Sequence, residues 1–292
     1  MMVEFNARKP EWLTVSSYFS ESATVVKKLM RKASLHTVCE SAACPNIGEC
    51  FKKRLAAFLI LGDVCTRGCT FCNVTKGKLP LPPPNPKEPK DLANTVMELN
   101  LSHVVITSVT RDDLPDGGAG QFARCIKEIR NLNQNISIEV LTPDFKNKVG
   151  ALEEVLAARP TVFNHNIETV KRLYPEVRKG ADYDFSLSVL AKAKDLAPFI
   201  YTKSGFMLGL GEEKAEVLAL MRDLRRAKVE ILTIGQYLRP SLKHHEVARY
   251  VPPAEFAAYK ELALDMGFKA VMSSPLTRSS HNAGEILSGL AK

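Results

Sequence analysis

The stretch that most constrains this chain is Cys65-Thr-Arg-Gly-Cys69-Thr-Phe-Cys72-Asn-Val. It carries three cysteines at C-x3-C-x2-C spacing, with an aromatic residue just before the third. It closely follows the apolar run Ala56-Ala-Phe-Leu-Ile-Leu-Gly62, which reads as a buried strand. Three thiolates on one short loop can hold three irons of a cubane iron–sulfur cluster, leaving the fourth iron open to a small molecule. The competing reading is a zinc loop. Zinc loops usually come as two pairs of Cys or His that make four ligands, and this loop offers three. Thiols that were merely buried would fall at apolar-face spacing, whereas these stand among Thr, Arg and Gly.

Upstream lies a second triplet, Cys39-Glu-Ser-Ala-Ala-Cys44-Pro-Asn-Ile-Gly-Glu-Cys50, at C-x4-C-x5-C spacing. Pro45 and Gly48 make it a loop. Its gaps are wide for zinc, with His36 as the fourth ligand, but suit a second cubane. The chain has seven cysteines, six of them in the two triplets. That is no disulfide framework, and it implies a reducing compartment. Cys125 falls with Phe122, Ile126 and Ile129 on one helical face and is expected in the core.

No apolar run approaches the ~20 residues of a membrane helix. The start, Met-Met-Val-Glu-Phe-Asn, lacks the pattern of a secretory signal. A cytoplasmic protein is expected, or one of an organellar matrix whose transit peptide has been removed. Net charge is +8. No helix-turn-helix, aromatic–basic RNA motif or long Lys/Arg run accompanies it, so nucleic acid is not expected. An acidic protein partner or an anionic cofactor fits the spread-out charge.

The segment 79–89 holds six prolines and reads as a stiff connector. Helices are expected at Ser20–Arg31, with Val25, Leu29 and Met30 on one side, and at Asp91–Leu99. From there strand and helix patterns alternate. Strands are expected at His103–Thr107, Ile136–Leu141, Thr161–Phe163, within Phe199–Leu210 and at Ile231–Ile234. Phe256, Tyr259, Ala263 and Met266 mark the last clear helix. With the strand before Cys65 this makes six βα units, hence a parallel sheet with helices outside. Six units suit a partial (βα)6 TIM-type barrel. A doubly wound open sheet is the alternative that periodicity does not separate from it.

In such folds chemistry gathers at the carboxyl ends of the strands. There stand the Cys65 loop, Thr107-Ser108, Thr142-Pro-Asp144 beyond Glu139, Asn164-His-Asn166, Met207 to Glu212 and Gln236 to Pro240. Asn164 and Asn166 also suit helix caps or turns, and Gly209 and Gly211 ordinary loops. His165 is expected as a packing histidine, His244-His245 as solvent-facing and Trp12 as packing.

The sequence resembles the lipoyl synthase family of radical S-adenosylmethionine enzymes. The likeness is carried by both cysteine triplets and by Val109-Thr-Arg-Asp-Asp-Leu-Pro-Asp-Gly-Gly118, Phe163-Asn-His-Asn-Ile-Glu-Thr169, Met207-Leu-Gly-Leu-Gly-Glu212, Ile234-Gly-Gln-Tyr-Leu-Arg-Pro240 and Arg278-Ser-Ser-His281. The resemblance implies two 4Fe–4S clusters. The first, on Cys65, Cys69 and Cys72, binds S-adenosylmethionine and yields a 5′-deoxyadenosyl radical. The second is an auxiliary, sacrificial sulfur donor on Cys39, Cys44 and Cys50, with Ser280 as fourth ligand; His281 stands where the family has Tyr. The chain then divides into an N-terminal extension (1–54), the barrel (55–268) and a C-terminal extension (269–292), the two extensions carrying the auxiliary cluster. The resemblance assigns S-adenosylmethionine contacts to Phe71, Asn73, Thr107, Glu139, Asn164, Asn166, Arg178 and the backbone near Met207. It implies insertion of two sulfurs at C6 and C8 of an octanoyl group on a carrier lysine. Partners would be octanoylated lipoyl carrier domains (2-oxoacid dehydrogenase E2 subunits, the glycine cleavage H protein), ferredoxin or flavodoxin as electron donor, and an iron–sulfur carrier. Rival readings are another sulfur-inserting or methylthio-transferring enzyme of the same superfamily, and a non-catalytic iron–sulfur sensor or scaffold.

Overall fold

Strand and helix alternate along most of the chain, which favours parallel neighbours, a helix carrying the chain back each time. The computed structural model describes residues 9–14 and 21–290. The signal-sequence reading of residues 1–6 and the start of the first helix at Ser20 lie outside them. In chain order come α1 (Glu21–Lys32), β1 (His36–Thr37), α2 (Val38–Ser41), α3 (Ile47–Lys52), β2 (Ala57–Ile60), β3 (Val64–Cys65) and β4 (Thr75–Lys76). Then follow α4 (Glu88–Glu98), β5 (His103–Ser108), α5 (Ala119–Leu132), β6 (Ser137–Leu141), α6 (Ala151–Ala157), β7 (Val162–Asn164), α7 (Tyr174–Val177) and α8 (Tyr183–Leu196). The chain continues through β8 (Tyr201–Leu208), α9 (Lys214–Arg226), β9 (Ile231–Gln236), α10 (Pro253–Asp265), β10 (Ala270–Ser273) and α11 (Ala283–Leu290).

The main sheet has eight strands in the order β1-β2-β5-β6-β7-β8-β9-β10. All neighbours are parallel except β1, which pairs antiparallel with β2 at one edge. The two end strands do not pair, so the sheet is an incomplete barrel. All six expected strands are present. The count of six is one short, because β10 adds a seventh parallel strand beside β9 within the segment assigned to the C-terminal extension.

Other expectations shift in detail. In α1 the buried side chains are Ala23, Val26 and Met30, while Val25 is exposed; the period holds and the phase moves by one residue. Pro89, assigned to the connector, sits in the first turn of α4, where a missing N–H costs nothing. Cys125 is fully buried among apolar residues, as expected. Trp12 is exposed rather than packed. Glu88 ties strand to helices: its buried carboxylate accepts the Leu61 N–H at 3.1 Å and the Gln121 amide at 2.7 Å.

Alternate residues of each strand face the lumen. The parallel register sets Val105 beside Glu139, Glu139 beside Val162, Asn164 beside Lys203, and Lys203 beside Ile231. At the amino ends of the strands, α11 plugs this lumen. Leu287 packs with Val162 and Ile231 in a small apolar cluster of their own, flanked by Tyr201, Ala270, Ile286 and Leu290. Among the described residues no helix is long and apolar enough to cross a membrane.

The plug yields a stability test. Leu287→Ala removes a side chain that is 9% exposed, with an expected loss of about 2–5 kcal/mol in urea unfolding. Leu242→Ala, at an exposed loop position, is expected to change stability by less than about 0.5 kcal/mol.

Candidate functional site

The Cys65–Cys72 loop leaves the carboxyl end of β2 and is fastened on several sides. The Thr66 N–H and hydroxyl both donate to Thr110 O at 3.0 Å, and the Gly77 N–H closes the loop on Cys65 O at 3.0 Å. Arg67 grips two carboxylates beyond β5 and β6: Asp112 through Nε at 2.8 Å, and Asp144 through both terminal nitrogens at 2.7 and 2.8 Å. Burial acts to raise the Asp144 carboxyl, but the Arg67 hydrogen bonds and charge override it and hold it at about 2. On the far side, the Thr70 N–H donates to Val177 O at 2.9 Å, and the His245 N–H donates to Thr70 O at 2.9 Å. His244 Nε2 donates to Cys72 O at 3.2 Å and His245 Nε2 to Leu210 O at 3.1 Å. His244 and His245 are therefore not loose solvent-facing residues; their loop lies over the cysteine loop.

The three thiols are close enough to act on one another. Burial pushes Cys72 up to about 12, with Cys69 and Cys65 adding to the effect. Burial likewise pushes Cys69 up to about 11, Arg178 pulling against it and Glu168 adding to it. Such crowded thiols give up their protons when a cationic metal assembly takes the place of those protons. Arg178 beside them is anchored by Tyr174, by Ser186 Oγ at 3.2 Å and by His165 Nε2 at 3.2 Å. His165 is fully buried, and burial followed by the Arg178 charge lowers it to about 3. The neutral ring donates from Nδ1 to Thr142 O at 2.8 Å and accepts Arg178 at Nε2. It is the packing histidine the sequence suggested. Glu168, to which the sequence reading gave no role, is set here by a left-handed backbone (φ 69°) and by bonds to Gly205 and Met207.

The remaining predicted contacts divide. Asn164 and Glu139 meet in the lumen, the Asn164 amide donating to Glu139 Oε1 at 2.9 Å, while Asn164 Oδ1 is buried without a partner among the described residues. The Glu139 carboxylate is also taken by Lys203, at 2.9 Å to each oxygen. The Thr107 hydroxyl donates to Leu141 O at 2.9 Å across the β5–β6 seam. Asn166 accepts the Ser279 hydroxyl at 2.9 Å. Phe71 packs on the core. Asn73 turns to the N-terminal segment instead, its amide donating to Ser41 O at 3.0 Å. The Gly209–Glu212 turn is structural: the Glu212 carboxylate accepts the Gly209 and Leu210 N–H groups at 2.7 and 2.8 Å.

The second triplet lies at the other end of the strands. Cys39 and Cys50 line a cavity of about 780 Å³ with Ser280 and with Ala57, His103 and Ser137, the first residues of β2, β5 and β6. Burial first, then the charges of Cys44 and Cys50, push Cys39 up to about 12. Cys44 sits near Arg278. The chain ends are pinned together by the Asn46 amide, which donates to Leu276 O at 2.7 Å. Of the serine pair, Ser279 is engaged by Asn166, while Ser280 faces the cavity. The path of this segment is cleared by glycine. A Cβ on Gly235 would lie 2.2 Å from Thr277 O, and one on Gly205 3.0 Å from Ser279 Oγ. Among the described residues no three His, Cys, Asp or Glu side chains are arranged to hold a single metal ion.

A model of the radical SAM superfamily matches residues 59–224. This chain belongs to that superfamily. It is an α/β protein of the radical SAM kind, and membership brings a 4Fe–4S cluster and S-adenosylmethionine. Solved structures share the fold. SuiB of Streptococcus suis, bound to S-adenosylmethionine, is 11% identical with a TM-score of 0.57 over 78% of this chain and 53% of its own. This chain thus spans about half the length of that protein. Methylornithine synthase (PylB) is 12% identical with a TM-score of 0.55, covering 94% of this chain and 93% of its own. HydG, a maturase of the FeFe hydrogenase, is 13% identical at 0.50, covering 93% and 75%. These likenesses speak for the barrel and not for a substrate.

Arg67 supplies the test of how the loop is held. Arg67→Met leaves the fully buried Asp144 carboxylate facing Arg67's empty place, with an expected loss of about 3–5 kcal/mol. In the parent protein the Asp144 contribution, on the order of 2 kcal/mol, is complete above the ordinary carboxylate value. It disappears as pH falls through about 2. Urea midpoints from pH 2 to 7 should show that acid limb in the parent. In the variant, burial is opposed only by the Lys146 N–H and by His165, so Asp144's share of that limb should be lost while the share of the other paired carboxylates stays.

Proposed function

We propose that this chain is a lipoyl synthase, a sulfurtransferase that places two sulfur atoms on C6 and C8 of an octanoyl group carried on a protein lysine. The observation that carries the reading is the pairing of two cysteine triplets on one barrel. One lies at the carboxyl ends of the strands. The other lies at the amino ends, where Cys39 and Cys50 share a cavity with a serine more than two hundred residues away in sequence. An enzyme that only abstracts hydrogen needs the first triplet; one that also delivers sulfur has a use for the second.

In this reading Cys65, Cys69 and Cys72 hold the superfamily cluster, and Cys39, Cys44, Cys50 and Ser280 hold an auxiliary one. Cluster and S-adenosylmethionine together supply one-electron chemistry able to remove hydrogen from unactivated C–H bonds, which acid–base groups cannot do. The protein's own part is placement and exclusion of water. Arg67 fixes the cysteine loop against Asp112 and Asp144. Glu168 and Arg178 offer polar groups beside the first triplet, with Asn166 on Glu168, while Asn164 faces the lumen on Glu139. Leu59, Val105 and Leu141 share the lumen-facing register, a lining suited to an alkyl chain, while Val162 and Ile231 are covered by Leu287 of α11. The α11 plug closes the lower end. The organisation follows: residues 1–54 bring the second triplet, the barrel brings the first, and 269–292 brings both β10 and Ser280.

The net charge of +8 suits acidic partners. These are octanoylated lipoyl carrier domains of 2-oxoacid dehydrogenases or the glycine cleavage H protein, a ferredoxin or flavodoxin that delivers electrons, and an iron–sulfur carrier that rebuilds the auxiliary site. The test is anaerobic. The reconstituted full chain, S-adenosylmethionine, reductant and an octanoyl-lysyl peptide are combined, and the peptide is followed by mass spectrometry. A gain of two sulfurs with loss of two hydrogens is the expected result. S-adenosylmethionine cleavage with an unmodified peptide overturns the substrate assignment. No cleavage in a fully loaded sample favours the sensor reading instead.

A further inference from the structure

A charge in the middle of a barrel lumen needs a reason, since burying an ion pair is seldom stabilising in itself. Lys203 and Glu139 are each about 1% exposed. The ammonium has three N–H groups. Two go to the Glu139 oxygens at 2.9 Å, and the third donates to Ser279 O at 2.6 Å. Glu139 is held in turn by the Asn164 amide. Ser279 is therefore fixed twice, at its carbonyl by Lys203 and at its hydroxyl by Asn166. The next residue, Ser280, has no hydrogen bond to its hydroxyl among the described residues and faces the cavity with Cys39 and Cys50. On β8 and β9 the segment passes over two glycines, Gly205 and Gly235, and Thr233 Oγ1 lies 3.5 Å from Ser279 Oγ, touching the hydroxyl and not the carbonyl. Without the ammonium, nothing polar on the lumen wall holds the Ser279 carbonyl.

We propose that Lys203 is a positioning residue for Ser280: anchored by Glu139, it fixes the Ser279 carbonyl inside the barrel and so aims the following side chain at the second cysteine triplet. This rests on the proposed function, in which Ser280 is a ligand of the auxiliary cluster. Lys203 touches neither the cysteines nor Ser280 Oγ; its effect passes through one peptide unit. Losing Lys203 should then act as losing the Ser280 ligand does, and losing both should add nothing.

The experiment is a double-mutant cycle on the full chain with Cys65, Cys69 and Cys72 replaced by Ala, so that only the second triplet can take up iron. After anaerobic reconstitution with iron and sulfide, iron per chain, the rate of iron loss to a chelator and the EPR spectrum of the reduced centre are recorded. The set comprises this reference, Ser280→Ala, Lys203→Met and the combined variant. The expectation is that each single change speeds iron loss about tenfold, that the combined variant is no faster than either, and that Lys203→Met takes on the Ser280→Ala spectrum. Where Lys203→Met does not fold, Lys203→Met with Glu139→Gln, which removes both buried charges, takes its place in the cycle. Iron loss unchanged by Lys203→Met, or effects that multiply to about a hundredfold, would overturn the proposal. A reference that binds no iron overturns the auxiliary-site reading itself, and the two failures are thereby told apart.

Discussion

The constraint on which the structure depends is the shared direction of seven strands. Parallel pairing from β2 to β10 puts every carboxyl end on one side and every amino end on the other. The period of two then sends alternate side chains into one lumen. A loop after β2 must emerge at the carboxyl face, which is where Cys65, Cys69 and Cys72 stand. A segment that enters before β2 and pairs antiparallel to it, as β1 does, must run the other way and deliver Cys39 to the amino face. The two triplets thus lie off opposite ends of β2, although only fourteen residues part Cys50 from Cys65, and the Asn73 amide bridges their loops at Ser41 O.

Charge is used sparingly inside this frame and always with partners. Arg67 with Asp112 and Asp144, and Lys203 with Glu139, join elements distant in sequence, while Arg178 with Tyr174 and His165 fastens a single connection between β7 and α8. None is placed where a hydrophobic side chain would do the same job. Each ends on a carbonyl, a carboxylate or a ring nitrogen whose position matters to a loop. A well-packed apolar residue could equal their stability but could not fix direction as a hydrogen bond does.

Both triplets stood out in the sequence because cysteine spacing is a local property. The six expected strands were legible because apolar runs bounded by polar turns survive without tertiary context. β10 was not: Ala270-Val-Met-Ser carries one β-branched and no aromatic side chain, a weak strand signal. α11 was hidden by Gly284, Ser288 and Gly289, which lower helix propensity in an eight-residue stretch held by tertiary packing on Val162 and Ile231. Lys203 gave a faint signal, a cation in mid-strand. Its partner Glu139 lies 64 residues earlier, and no periodicity links them. His245 read as polar loop because its bonds to Thr70 and Leu210 are long-range.

The meeting of the chain's two ends was least legible and is most consequential. Asn46 reaches Leu276 across 230 residues, and Ser280 reaches the cavity only because β10 first adds a strand and the chain then turns back into the lumen. That turn requires Gly235, since any side chain there would occupy the place of Thr277 O. It requires Gly205 as well, where a side chain would crowd Thr233, Ser279 and Asn166 at once. Both glycines lie in strands, where glycine weakens pairing and usually marks a close backbone approach. Here the approaching backbone is the chain's own. A barrel whose interior is filled by a returning segment gains a surface at the amino ends that strands alone cannot build. This is how a fold with its established chemistry at one face comes to have cysteines and serine gathered at the other.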